Sequence, residues 1–108
     1  MITEEERYEQ IAEELSSKPG VTRAKLFGMP GLKAGKTAFC GLAGKDMVFK
    51  LGEGTDAHGK AMKLDGATMF DPSGRNRPWK DWVRVPSTSA AQWGLLADYA
   101  MQKALQEQ

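Results

Sequence analysis

The segment from Gly74 to Pro86 combines two tryptophans with spaced cations, and its residue types suit contact with another molecule. Its second half, Trp79–Val85, predicts a β-strand, in which successive side chains point to opposite faces of the sheet. Valines occupy one face of this strand and suit a core. The opposite face carries two cations and an aromatic ring: Lys80, Trp82 and Arg84. These residue types predict recognition of an anion or a flat ring, and they form no catalytic motif.

Other cations and aromatic residues extend this surface if the remaining strands alternate in the same way. We expect Met47, Phe49 and Leu51 to face the core, which leaves Val48 and Lys50 on the open face. Residues of an earlier strand and the cations of the preceding loop complete the set. The candidate binding surface consists of Arg23, Lys25, Phe27, Lys50, Arg75, Arg77, Lys80, Trp82 and Arg84.

Three interpretations of this surface stay open at the level of sequence. Cations on the wet face of an antiparallel sheet are ordinary, and a tryptophan can lie along their aliphatic stems. Bare apolar side chains among them favour a contact with another protein or with a second copy of the chain. A basic surface with interleaved aromatic rings is also typical of proteins that bind single-stranded nucleic acid.

Motifs for catalysis, nucleotides and metals are weak. The run from Gly31 to Thr37 resembles a P-loop, but it has three residues between its glycines where four are required, and a strand follows it. Cys40 and His58 are the only residues of their kinds, so they supply no zinc ligand set and no disulfide. We predict no cofactor, no metal and no enzymatic activity. An enzyme or ligand carrier would need a pocket between the helices and the loops around 28–35 and 74–77.

Composition indicates one globular domain spanning residues 1–108. The net charge is +1, but residues 19–52 hold six bases against one acid and residues 73–86 hold four against one. The acidic N-terminus does not resemble a secretory signal, and no run of 18 apolar residues appears. These features predict a soluble cytoplasmic protein that does not enter a membrane.

The hydrophobic pattern predicts three helices and five strands. Thr3 and Glu6 form a capping box before a helical apolar stripe, and Ser89 and Gln92 form a second one before the last helix. The segment 55–64 predicts a short helix between these two. Strands are predicted at Thr22–Phe27, Thr37–Ala43, Met47–Leu51, Ala67–Phe70 and Trp79–Val85.

This order, α-β-β-β-α-β-β-α, predicts an α+β fold. Short connections between successive strands favour antiparallel pairing. We therefore expect a two-layer domain in which helices cover one face of a mainly antiparallel five-stranded sheet.

Several short motifs, in the same order along nearly the whole chain, resemble the N-terminal domain of the TfoX/Sxy family. They are Leu26-Phe27-Gly28-Met29, Phe39-Cys40-Gly41-Leu42, Met47–Leu51, Gly74-Arg75 and Trp82–Pro86. The resemblance implies a two-layer domain, in agreement with the element order. It also implies a link to the regulation of natural DNA uptake, since the longer family members are competence regulators that act with the cAMP receptor protein.

The resemblance supplies no catalytic residues. The longer members carry a second, C-terminal domain, whereas this sequence stops at Gln108, so we expect a stand-alone domain. Together the residues and the resemblance predict a bacterial binding or regulatory module that acts through protein contacts with an unknown partner or as a homodimer. The alternative is a module that binds nucleic acid through the open face of its sheet.

Overall fold

The computed structural model of the chain describes residues 2–26 and 28–107, and it has an α+β fold with three α-helices and six strands in that part of the chain. The elements, in chain order, are α1 (Glu4–Ser16), β1 (Val21–Leu26), β2 (Met29–Ala34), β3 (Thr37–Ala43), β4 (Asp46–Lys50), α2 (Asp56–Met62), β5 (Thr68–Phe70), β6 (Trp79–Val85), a 3-10 segment (Ser87–Gln92) and α3 (Trp93–Gln106).

Local capping explains where the first two helices begin. The Thr3 hydroxyl accepts the Glu6 amide at 3.1 Å, and the Glu6 carboxylate accepts the Thr3 amide at 3.1 Å, which confirms the predicted capping box. The Thr55 hydroxyl accepts the amide of His58 at the start of α2. The predicted box at Ser89 and Gln92 is wrong: these residues belong to the 3-10 segment, and α3 begins at Trp93 without a side-chain cap.

The sheet is antiparallel throughout, with the strand order β1-β2-β3-β4-β6-β5. The prediction of five strands is wrong by one, because Met29–Ala34 forms β2 between the predicted strands Thr22–Phe27 and Thr37–Ala43. The glycines and the proline of residues 28–31 are typical of a break in the chain. Pro30 suggested the break, since proline cannot donate a hydrogen bond to a ladder. However, β2 pairs with β3 only from Gly31 onwards, so the missing donor of Pro30 falls outside that ladder.

All three helices pack on one face of the sheet and enclose the main core. Helix α3 lies against β2, β3 and β4, while α1 contacts β1 and α2 contacts β6. Trp93 is fully buried at the start of α3, and its indole Nε1 donates to the carbonyl oxygen of Val85 at 3.2 Å. This core contains the largest fully buried side chains, among them Leu32, Phe39, Met47, Phe49, Leu51, Val83, Val85 and Met101.

The opposite face of the sheet has a hydrophobic cluster of its own, which we call the second cluster. Its buried members are Leu26, Val48, Phe70 and Trp82, with Met29, Ala38, Ala43 and Trp79 packed around them. Because Val48 lies between Met47 and Phe49 of the main core, strand alternation puts it on the face away from the helices. The sheet is therefore buried on both faces over part of its area.

Close approach of the chain to Gly31 explains why a glycine stands in β2. A Cβ atom there would lie 2.5 Å from Cδ1 of Leu26 and 2.9 Å from the carbonyl oxygen of Cys40 on the paired strand. We expect Gly31→Ala to lower the free energy of unfolding by about 1–3 kcal/mol, because a backbone oxygen has little freedom to move aside. Urea denaturation followed by circular dichroism measures this loss.

Gly59→Ala is the control for Gly31→Ala, because we expect it to change the free energy of unfolding in the opposite direction. It lies in α2, and a Cβ atom there meets no other atom within 4 Å. Gly59→Ala should raise stability by about 0.5–1 kcal/mol, because alanine loses less backbone entropy in a helix. Equal effects of the two substitutions would contradict the close approach at Gly31.

Candidate interaction surfaces

The candidate residues predicted from sequence do not share one face of the sheet. In β1, Val21 belongs to the main core, and Nη1 of Arg23 lies 2.6 Å from Oε1 of Glu9 on α1. Arg23 therefore lies on the side of the helices, and strand alternation puts Lys25 there with it. The prediction that these two cations accompany Trp82 is wrong. Phe27 lies outside the described residues.

Trp82 is a packed residue of the second cluster. Only 6% of its surface is exposed, and its ring centroid lies 5.8 Å from that of Trp79 and 6.3 Å from that of Phe70. Such tilted contacts at these separations are typical of aromatic pairs in cores. The ring of Trp82 therefore packs against the neighbouring rings of Phe70 and Trp79. The prediction that it is exposed on the open face of the sheet is wrong.

Arg84 already has partners on the open face. Its Nε donates to Oδ2 of Asp46 at 2.8 Å, and an Nη atom donates to the carbonyl oxygen of Ala43 at 3.3 Å. Both partners lie at the end of the β3–β4 hairpin. The ion pair neutralises the charge of Arg84 locally, so this residue contributes little to a basic surface.

Four of the predicted cations stay available near the second cluster. Lys50 pairs with Trp82 across β4 and β6, and Lys80 is exposed at the start of β6. Arg75 and Arg77 are exposed in the loop that connects β5 to β6. We call the exposed cations of this end, Arg75, Arg77 and Lys80, the basic loop.

The carboxylate of Asp71 holds the backbone that carries these arginines. It accepts hydrogen bonds from the hydroxyl and amide of Ser73 and from the amides of Gly74 and Arg77, at 2.6–3.1 Å. The bond from the Ser73 hydroxyl, supported by those amides, lowers the pKa of Asp71 from its ordinary value. The carboxylate stays charged at neutral pH and is already occupied, so it does not pair with the arginine side chains.

His58 fixes the backbone next to the basic loop. It is buried in α2, and its Nε2 lies 2.7 Å from the carbonyl oxygen of Lys80. The amides of Leu51 and Gly52 both donate to the carbonyl oxygen of Asp81. His58 therefore joins α2 to the irregular start of β6, and this contact gives its buried side chain a structural role.

A groove between α2 and α3, which sequence reasoning missed, has a mainly apolar lining. It is an open cavity of about 400 Å³. Leu95 has 72% of its surface exposed and Tyr99 has 40%, and both border the groove. Its lining residues are Asp56, Ala57, Lys60, Ala61, Leu64, Gln92, Leu95, Leu96 and Tyr99. The available signal was the pair Leu95 and Tyr99, one helical turn apart and outside the core stripe of α3.

A second open cavity, of about 480 Å³, lies between α1 and the β1–β2 hairpin, near the position where a ligand carrier would need one. Its charged walls are partly paired, since Glu9 and Arg23 form an ion pair. Burial raises the pKa of the Tyr8 hydroxyl at its edge. Burial likewise raises the pKa of the Cys40 thiol, which is fully buried in the main core and therefore a poor nucleophile.

Within residues 2–26 and 28–107, no group of three or more His, Cys, Asp or Glu side chains is arranged to hold a metal ion. In the same part of the chain, no helix has the length and apolar character needed to cross a membrane.

Comparisons with known proteins give no relative: no family model, no curated protein and no solved structure matches the chain. The resemblance to the TfoX/Sxy N-terminal domain therefore stays a prediction.

Proposed function

We propose that the chain is a non-enzymatic binding module that acts through protein contacts, and that the groove between α2 and α3 makes the main contact. The observation that carries the proposal is the exposure of Leu95 and Tyr99 beside an apolar recess. Large apolar side chains grouped at the surface are typical of protein interaction sites. A regulatory role agrees with the resemblance to competence regulators.

The state of the nucleophilic groups supports a role in binding over catalysis. The Cys40 thiol and the Tyr8 hydroxyl both have raised pKa values, because burial disfavours their charged forms. His58 uses its Nε2 to hold the backbone of Lys80. These three side chains contribute to the packing of the domain.

Replacing Leu95 tests the proposal. We expect Leu95→Glu to weaken binding of a partner protein by about 30-fold, because a charge in an apolar contact costs about 2 kcal/mol or more. The immobilised chain and the variant serve as baits in extracts of the source cells, and mass spectrometry compares the proteins retained.

Ile2→Glu is the matched control for this experiment. Ile2 is also a large exposed apolar residue, with 48% of its surface accessible, but it does not border the groove. A protein retained by the wild type and by Ile2→Glu, and lost with Leu95→Glu, supports the proposal. If all three baits retain the same proteins, the groove is not the binding site.

A second candidate function is the binding of single-stranded nucleic acid by the basic loop. The observation in its favour is that Asp71 orders the loop while Arg75 and Arg77 stay exposed, next to the partly exposed ring of Trp79. Cations that follow a backbone beside an aromatic ring are typical of such sites.

Charge reversal in the loop tests this second candidate. The double variant Arg75→Glu with Arg77→Glu should bind a labelled single-stranded oligonucleotide about tenfold more weakly at low salt, because two phosphate contacts are lost. Fluorescence anisotropy at several salt concentrations measures the affinity and its salt dependence.

The control is Lys18→Glu with Lys45→Glu, which changes the net charge equally at two exposed positions outside the loop. Equal weakening by both double variants would indicate a non-specific charge effect. Binding that is absent in the wild type, or that does not depend on salt, would exclude this candidate.

A further inference from the structure

The surface around the groove has a ridge directly beside a recess. Leu95 and Tyr99, neighbours on one face of α3, form the ridge. The recess is bordered on its α2 side by the short side chains of Ala57 and Ala61. A protruding apolar pair and a hollow of the same chemical character therefore lie on one patch.

We infer that the protein that occupies this groove is a second copy of the same chain, an inference that rests on the proposed function of the groove. A two-fold symmetric contact uses the same patch on both partners, so the patch must complement itself. A ridge beside a recess meets this requirement. In the dimer, Leu95 and Tyr99 of each protomer enter the recess of the other.

The charges on the helices favour this face over its neighbours for self-association. On α3, all of whose residues are described, Asp98 is the only charged residue among the exposed positions. Helix α1 has an acidic outer face that would repel its own copy. Its exposed acids are Glu5, Glu6, Glu9, Glu13 and Glu14.

The rim of the groove carries charges of both signs. Asp56 and Lys60 both line the cavity, one helical turn apart on α2. A two-fold axis that passes between Asp56 and Lys60 would bring Lys60 of each protomer towards Asp56 of the other, whereas a rim of one sign would repel its copy. The charge pattern is thus compatible with an identical partner.

We expect the dimer to be weak. A standard interface covers about 800 Å² of each partner, while the whole chain exposes 6400 Å². Because α2 is short and only two large side chains protrude, we expect a smaller contact and a dissociation constant on the order of 10–100 µM.

Sedimentation equilibrium of the full chain tests this inference. Between roughly 1 µM and roughly 1 mM, the average mass should rise from that of one chain towards that of two, as mass action requires. Leu95→Glu should weaken self-association at least about tenfold, while Ile2→Glu should leave it unchanged. Circular dichroism and urea denaturation of each variant check that it stays folded.

Nuclear magnetic resonance of the wild-type chain locates the contact without any substitution. On dilution, the shift changes of backbone amides should concentrate in Asp56–Met62 and in the first turns of α3. A chain that stays monomeric over the whole concentration range overturns the inference. Shift changes centred on α1 or on the second cluster overturn it as well.

The outcomes also separate this inference from the proposed function. If the chain stays monomeric and Leu95→Glu still loses a different captured protein, the groove binds a partner other than a second copy. If the chain is monomeric and Leu95→Glu loses nothing, both the inference and the proposed function are wrong.

Discussion

Trp82→Ala is expected to lower the free energy of unfolding by about 3–5 kcal/mol. The ring is 6% exposed and contacts both Phe70 and Trp79 on the face of the sheet away from the helices. Its removal leaves a cavity beside Phe70 and Trp79 in the second cluster. Urea denaturation followed by far-ultraviolet circular dichroism measures the loss and avoids the change in tryptophan fluorescence.

Lys80→Ala is the control, because Lys80 is exposed on the same strand. Its effect should stay within about 0.5 kcal/mol, as for most surface substitutions. A Trp82→Ala variant as stable as the wild type would mean that the ring is a surface residue, as the sequence suggested, and that the second cluster does not stabilise the fold.

Trp93→Ala should cost a similar amount, about 3–5 kcal/mol, through the main core. Trp93 is fully buried where α3 begins, and its indole nitrogen donates to the carbonyl oxygen of Val85. Since α3 has no side-chain cap, this residue fixes the start of the helix on the end of β6. The same denaturation experiment measures the change.

Trp93→Phe separates packing from hydrogen bonding at this position. Phenylalanine keeps most of the apolar volume but cannot donate to Val85, so its cost should be smaller, about 1–3 kcal/mol. If Trp93→Phe lowers the free energy of unfolding as much as Trp93→Ala does, the hydrogen bond to Val85 accounts for most of the effect. No loss with alanine would contradict the role of Trp93 in the core.

The positions of the helices and of five strands could be predicted because their signals are local. The capping box at Thr3 and the alternation in β4 and β6 agree with the structure. Strand β2 was missed because Pro30 and its neighbouring glycines look like a turn. Whether a proline interrupts a strand depends on whether its backbone nitrogen faces a paired strand. A single sequence does not contain that information.

The sequence also did not show that the candidate binding surface is divided between the two faces of the sheet. Within β6, the separation of Val83 and Val85 from Trp82 was predicted correctly. In β1, however, both end residues are buried: Val21 faces the helices and Leu26 faces the second cluster. Because each end of β1 is buried on a different face, its pattern does not say which side holds Arg23.

Burial of both sheet faces also changes what an apolar residue in a strand indicates. Val48 and Trp82 suggested an exposed apolar surface only under the assumption that the sheet has a core on one face. The groove was missed for a related reason: whether Leu95 and Tyr99 are covered depends on the distance between α2 and α3. Tertiary packing sets that distance, and no local motif reports it.

Because Cys40 is buried in the main core, the reactivity of its thiol reports how often that core opens. Its thiol is the only one in the sequence and is sealed between the sheet and the helices. A thiol reagent can reach it only when the core opens, so the ratio of its labelling rates in the native and unfolded chain gives the free energy of that opening. The kinetics of this one reaction would thus report the stability of each variant described above without a fluorophore.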